Sequence, residues 1–256
     1  MTDLTTIPPS VDLELAELAR RHRAASSVGM QVLNYVGGRA EGLLDKLPGP
    51  VRSGLDDATA RALELALSSA RRSREVVPDQ KPWLTTALAT AMGAAGGVGG
   101  LPSALAELPV TVTVLFRAIQ AVAAEYGFDP DDPQIARECL TVFSSAGPLA
   151  EDDGAEMAFL SARVTLTGAT VHGLIARIAP RLATVLGQKL AAQAVPLLGA
   201  AAGAATNYAY TSYYQNMAHV HFGLLRLSEQ SGRDRVTLVA ELKDQIEVSR
   251  KKKRIR

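Results

Sequence analysis

The clearest pattern along the chain is a set of apolar positions that recur at helical spacing. Near the start, the positions that would face a core lie three or four residues apart, at Val11, Leu15, Leu18, His22 and Ala25. Charged residues fill the positions between them, as on a helix with one face against a core. Ser10 precedes this segment and is predicted to be its N-cap. Similar patterns cover residues 55–70 and 236–246, and no segment shows persuasive alternation with period two. The pattern predicts an all-α protein.

Composition supports this prediction and indicates how the helices are divided. Alanine and leucine, both strong helix formers, are the most frequent residues, whereas aromatic residues make up only 5%. Proline- and glycine-rich breaks occur at 47–50, 77–82 and 126–133. In the last of these, Asp132 is predicted to be an N-cap and Pro133 the first helical residue. No linker is long enough to separate two domains, so we expect one compact multi-helix domain over 1–249 and a basic tail over 250–256.

Two long stretches of the chain, 82–106 and 190–225, contain no Asp, Glu, Lys or Arg. Each exceeds the roughly 20 apolar residues that a membrane-spanning helix needs. Both are nevertheless rich in alanine and glycine and are interrupted by proline or polar residues, so they would transfer weakly into lipid. Glycines four positions apart, such as Gly93/Gly97 and Gly199/Gly203, allow helices to approach closely. We therefore expect Gly/Ala-rich apolar helical hairpins, either packed in a core or embedded shallowly in a membrane.

The near-neutral formal charge of +1 conceals an uneven distribution. Six of the 27 basic residues lie in 250–256, which leaves 21 basic against 26 acidic residues in the rest of the chain. Such a tail is predicted to contact an anionic membrane surface or lipid, although a solvated, disordered end is the alternative. The acidic body would repel phosphate, so no nucleic-acid partner is expected. The candidate contact residues are Arg250, Lys251, Lys252, Lys253, Arg254 and Arg256.

Aromatic residues supply a second set of candidate membrane contacts. Four of the six tyrosines fall within seven positions, and the only tryptophan begins the first uncharged stretch. Such side chains favour the boundary between water and lipid, but ordinary core packing explains the tyrosine cluster equally well. These candidates are Trp83, Tyr208, Tyr210, Tyr213 and Tyr214.

Three polar residues near the uncharged stretches are candidates for buried polar positions: Glu107, Arg117 and Asn207. Glu107 and Arg117 are ten residues apart, about 15 Å along one helix, so they cannot pair within it. Because an unpaired buried charge is costly, either residue would need a partner from another segment, such as Asn207, or from the other member through a kink at Pro109. Structural pairing is the default interpretation and a functional polar site the alternative.

No residue is predicted to be catalytic, and no metal or cofactor is expected. Ser144, Ser145 and Ser161 lack a nucleophile-elbow motif, and Cys139 fits a small buried apolar residue. His219 and His221 are two positions apart and point in different directions on a helix, while His22 and His172 are expected to be packed or surface residues. The N-terminal sequence has no secretory signal pattern, so a cytoplasmic location is predicted.

Several segments together are similar to those of a known family. They are GGVGGLPSALAELPVTVTVLFRAIQ (96–120), YGFDPDDP (126–133) and VPLLGAAAGAATNY (195–208), followed by Ala218 and a closing helix. In this order they resemble the bacterial EcsC family over residues 30–230, with Glu-Leu-Pro at 107–109 where relatives are expected to have Asp-Leu-Pro. The resemblance implies a helical, membrane-associated protein whose biochemical role is unsettled. It supplies no catalytic residues.

The sequence therefore supports three hypotheses. The leading one is a non-enzymatic, peripheral lipid-associating protein on the cytoplasmic face of the inner membrane, with a membrane protein as a further possible partner. The second is a lipid- or acyl-chain-binding protein with an internal pocket whose polar end holds Glu107, Arg117 or Asn207. The third is a hydrolase whose serine and histidine are brought together only by the fold.

Overall fold

The structure, a computed structural model, describes residues 10–36, 45, 47–76, 108–145, 147, 170–193 and 199–254. Within these residues the chain forms seven α-helices and no strand, which confirms the all-α prediction. The helices are α1 (Val11–Val36), α2 (Gly49–Val76), α3 (Leu108–Glu125), α4 (Pro133–Val142), α5 (Val171–Gln193), α6 (Gly199–Ser231) and α7 (Arg235–Arg254).

The predicted N-cap residues Ser10 and Asp132 act at the helix starts where the sequence placed them. The Ser10 hydroxyl accepts a hydrogen bond from Leu13 N at 3.4 Å, and the Asp132 carboxylate accepts one from Gln134 N at 2.6 Å at the start of α4. At the end of α3, Gly127 has a φ of +79°. Its N–H donates to Ala124 O, and the next N–H donates to Ala123 O. This pair of bonds is a Schellman motif, which satisfies the last carbonyls of a helix and favours glycine.

Helix α6 is the central helix of the bundle. It contacts α1, α3, α4, α5 and α7, while α2 packs against α3 and α5. Buried apolar side chains from all seven helices form one continuous cluster. Helices α1 and α6 lie close together at Gly223, where an added Cβ would lie 2.5 Å from Leu18 Cδ2. A larger residue at this position would require the Leu18 side chain to shift.

The second uncharged stretch contributes much of this core. Among its residues from 203 onward, Tyr210, Met217 and Phe222 have no exposed surface. Core packing therefore describes this part of 190–225, and α5 and α6 do contact one another as helices. The first uncharged stretch, 82–106, and the hairpin predicted there lie outside the described residues.

One described helix, α3, has the length and the apolar composition that a membrane crossing requires. It was not among the stretches singled out in the sequence. More than half of its apolar window, 56%, is buried inside the bundle, as is typical of the core helix of a helical domain. The helix that meets the criteria for a membrane crossing, α3, is thus a different segment from the two uncharged stretches, 82–106 and 190–225.

Candidate functional sites

The predicted basic tail begins inside a helix. Helix α7 continues from its core-packed part through position 249 to Arg254 without a break. The core contacts of α7 come from Leu238, Leu242 and Ile246. Ile246 is the last described core residue of this helix, and positions 250–254 are all basic. A helical backbone thus carries the five consecutive basic residues 250–254; Arg256 lies outside the described residues.

The tyrosine cluster divides into one exposed residue and three core residues. Tyr208 is 48% exposed, whereas Tyr210, Tyr213 and Tyr214 are fully buried. The membrane-contact prediction is therefore corrected to core packing for these three, because none of them reaches the surface. Trp83, the remaining aromatic candidate, lies outside the described residues.

The buried tyrosines fix the chain around α5 and α6 through their hydroxyl groups. Tyr210 Oη donates to Val185 O at 2.9 Å, and Tyr213 Oη accepts from Gly147 N at 3.0 Å. Burial raises the pKa of Tyr210 and of Tyr214 well above the ordinary value. Both phenols thus remain neutral at physiological pH, as expected for side chains removed from water.

The candidate buried polar residues do not form one site. Asn207 is 8% exposed and lines a cavity of about 10 Å³ with Lys189, Thr111 and Thr211. This volume is close to the minimum that holds one water molecule. Arg117 is half-buried on α3 and does not line that cavity. Glu107, a candidate partner of Arg117, lies outside the described residues.

A buried polar network that sequence reasoning missed joins α4, α6 and α7. His221 is 2% exposed, and its Nε2 lies 2.7 Å from Glu138 Oε2. On its other side, Arg235 Nη2 lies 3.2 Å from His221 Nδ1. Because arginine can only donate, Nδ1 must accept and Nε2 must carry the proton that is donated to Glu138. Only the fold brings these residues together, since 83 positions separate His221 from Glu138.

His219, two positions earlier, faces a different environment. Its Nδ1 lies 3.4 Å from Tyr126 Oη and its Nε2 lies 3.9 Å from Glu125 Oε2. Burial, followed by the nearby Arg21, lowers the pKa of His219 to about 4. Burial also raises the pKa of Tyr126 to about 12. The two neighbouring histidines thus point to separate partners, as their spacing predicted.

The remaining candidate chemistry has structural explanations. Ser144 Oγ donates to Thr141 O and Ser145 Oγ donates to Val142 O, so both hydroxyls cap the end of α4. Cys139 is buried, as predicted. Of the two histidines expected to be packed or surface residues, His22 is buried and His172 is at the surface. Ser161 lies outside the described residues. Across the described ranges, no group of three or more histidine, cysteine, aspartate or glutamate residues could hold a metal ion.

A cleft of about 590 Å³ opens where α2, α3, α4 and α5 meet. Its apolar walls include Phe116 and Ile175, which are 0% and 3% exposed. Gln120 is one helical turn from Phe116 and is also buried at 2%. At the rim, His172 Nδ1 lies 3.6 Å from Glu64 Oε1. Nothing in the local sequence pattern indicated this cleft, because each helix contributes only two or three lining residues.

The architecture is that of a single-core α-helical bundle with a cationic helical end. The model of the EcsC protein family matches residues 67–227, which is more than half of the chain. The chain therefore belongs to the EcsC family, as the resemblance of its segments had implied. Neither a curated protein nor a solved structure matches it.

Proposed function

We propose that this protein is a non-enzymatic, peripheral lipid-associating protein that acts at the cytoplasmic face of the membrane. The observation that carries the proposal is the helical extension of α7 through five consecutive basic residues. A helical backbone holds these cations within a length of about 6 Å, because the helix rises 1.5 Å per residue. Their charge is therefore concentrated rather than spread along an extended chain.

The basic end alone would bind a membrane weakly. Each cation near an anionic leaflet contributes about 1 kcal/mol, so five contribute at most about 5 kcal/mol. Durable attachment usually needs a second contact. Val110 and Tyr208, which are 47% and 48% exposed, support such a second contact. Val110 precedes Thr111 and Tyr208 follows Asn207, and Thr111 and Asn207 line the same small cavity. Both apolar side chains thus lie at the same end of the α3–α6 pair.

The proposal predicts a charge-dependent association that flotation can measure. The full chain is mixed with vesicles of phosphatidylcholine plus phosphatidylglycerol, or of phosphatidylcholine alone, at low salt. We expect flotation with the anionic vesicles only. The triple variant K251Q/K252Q/K253Q should bind up to roughly 100-fold more weakly, because it removes three cations near the surface.

The matched control removes the same number of charges elsewhere. Arg23, Arg61 and Arg177 are exposed on α1, α2 and α5, so R23Q/R61Q/R177Q lowers the net charge equally. It should retain most of the binding. If the two triple variants lost equal amounts of binding, the interaction would depend on net charge alone and not on the basic end of α7. If the full chain failed to float with anionic vesicles at low salt, the proposed function would be rejected.

The alternative of an internal lipid pocket at Asn207 gains no support from the described residues. The cavity that Asn207 lines has room for about one water molecule, whereas an acyl chain needs a site of several hundred cubic ångströms. For the hydrolase alternative, the two described candidate serines, Ser144 and Ser145, both donate to backbone carbonyls, so neither supports it.

A further inference from the structure

We infer that the cleft between α2, α3, α4 and α5 binds an uncharged amphiphile, an alkyl chain that carries one hydroxyl group. This inference does not depend on the proposed membrane association, because the cleft and the basic end of α7 are formed by different elements. The argument rests on the size, the apolar walls, the charge and one buried polar atom of the cleft.

The size and walls of the cleft suit the alkyl chain. Its volume of about 590 Å³ lies within the range of 300–1,000 Å³ that is usual for small-molecule sites. Phe116 and Ile175 are almost fully buried and form apolar walls, and Leu67 and Ala136 line it from α2 and α4. Burying an alkyl chain against these side chains is favourable because it removes apolar surface from water.

The polar atom that would recognise the hydroxyl belongs to Gln120. This residue lines the cleft and is 2% exposed, and its Oε1 has no hydrogen-bond partner among the described residues. A buried acceptor without a donor is costly, so a ligand that supplies one gains the bond and removes that cost. A hydroxyl group meets this requirement as a neutral donor.

The charge of the cleft argues against an anionic ligand. Glu64 and His172 are the only titratable residues that the described lining contains, and no lysine or arginine is among them. The first turn of α5 faces the cleft through Val171 and His172, and its positive dipole end would favour an anion. The Glu64 carboxylate, 3.6 Å from His172 Nδ1, already supplies that negative charge. A carboxylate headgroup would meet a second carboxylate there.

The inference can be tested with three probes that share one alkyl chain. Octan-1-ol, octyl methyl ether and octanoate are each titrated at neutral pH into the full-length protein in a calorimeter. We expect octan-1-ol to bind about five-fold more tightly than the ether, which cannot donate a hydrogen bond, and more tightly still than octanoate. Absence of octan-1-ol binding, equal affinities for octan-1-ol and ether, or preferred binding of octanoate would each overturn the inference.

Variants locate the site and separate it from other surfaces. Gln120→Leu should lower the affinity for octan-1-ol to that for the ether and leave the ether unaffected. Gln134→Leu is the matched control, because Gln134 is exposed on α4 outside the lining, and it should change neither affinity.

Ala136→Phe fills the cleft from a half-buried position and should abolish binding of both probes even if Gln120→Leu does not fold. Unchanged octan-1-ol binding in Ala136→Phe would reject the assignment to this cleft, while vesicle flotation should be unaffected in all three variants.

Discussion

At the scale of single residues, some buried polar groups of this bundle form hydrogen bonds between helices that are distant in the chain. The His221 ring joins Glu138 of α4 to Arg235 of α7, and the Tyr213 hydroxyl joins α6 to the backbone at Gly147. Each bond satisfies a group that could not return to water without opening the core. These contacts therefore specify how the helices are arranged, in addition to the non-directional apolar packing.

Gly147 offers a direct test of one such junction. Its φ is +88°, and a Cβ there would lie 2.7 Å from Val185 Cγ1, a β-branched side chain with little freedom to move. We expect Gly147→Ala to lower the free energy of unfolding by about 2 kcal/mol, from strain and overpacking together. Chemical denaturation would measure it. Gly54→Ala is the control, because Gly54 lies in α2 with nothing within 4 Å of the added Cβ, and it should raise stability by up to about 1 kcal/mol.

His219 should make stability depend on pH in a defined window. Its pKa is lowered to about 4 in the folded protein, against 6.5 for the ordinary side chain. Between these values the unfolded chain binds the additional proton, so stability is lost as the pH falls from about 6.5 towards 4. The raised pKa of Glu125, caused by burial, opposes part of this loss at the acidic end.

Urea denaturation of His219→Gln at pH 7 and pH 5 would measure this contribution. The variant should lose less stability than the wild type between the two pH values, by roughly 1–2 kcal/mol. An identical pH dependence in His219→Gln and wild type would contradict the assignment.

At the scale of helices, local sequence was a good guide to where elements begin and a poor guide to what they contact. Ser10, Asp132 and Pro133 act at helix starts as predicted because capping depends on residues within three positions. The tyrosines at 210, 213 and 214 were ambiguous because their spacing suits a membrane boundary and a core equally well. Only the packing of α6 against five other helices determines that they are buried.

The N-cap of α4 gives a prediction at this scale. Asp132 accepts from Gln134 N and precedes Pro133, so its carboxylate satisfies one of the free N–H groups of the first turn. Asp132→Ala should lower the free energy of unfolding by about 1 kcal/mol, whereas Asp132→Asn, which preserves the acceptor, should cost much less. Thermal unfolding of the two variants provides the comparison. Equal losses would indicate that the cap contributes through its charge rather than through its hydrogen bond.

At the scale of the whole molecule, the candidate sites were harder to predict than the fold. The all-α fold class follows from helix propensity and from apolar periodicity, and both signals recur in several segments of the chain. The cleft around Gln120 and the network around His221 depend on side chains from three or four helices, and no short segment contains more than a few of them. The basic end of α7 was evident from sequence because it is contiguous. Its helical form, however, continues a segment that is anchored in the core at Ile246.

We therefore expect the chain up to Ile246 to determine folding and the basic residues after it to determine the charge-dependent membrane contact. Removing 250–256 deletes six basic residues but none of the described core side chains of α7, of which Ile246 is the last. We expect thermal unfolding of this truncated chain to occur within about 2 °C of the wild type, because all the described core side chains of α7 are retained. Ile246→Ala, by contrast, leaves a cavity at a side chain that is 1% exposed and should cost about 2–4 kcal/mol.

In flotation the two variants should behave in the opposite way: the truncated chain loses its salt-sensitive binding, while Ile246→Ala keeps it at temperatures where it remains folded. A truncated chain that unfolds several degrees lower would show that the basic residues stabilise the bundle, and the separation of folding from membrane contact would then be wrong.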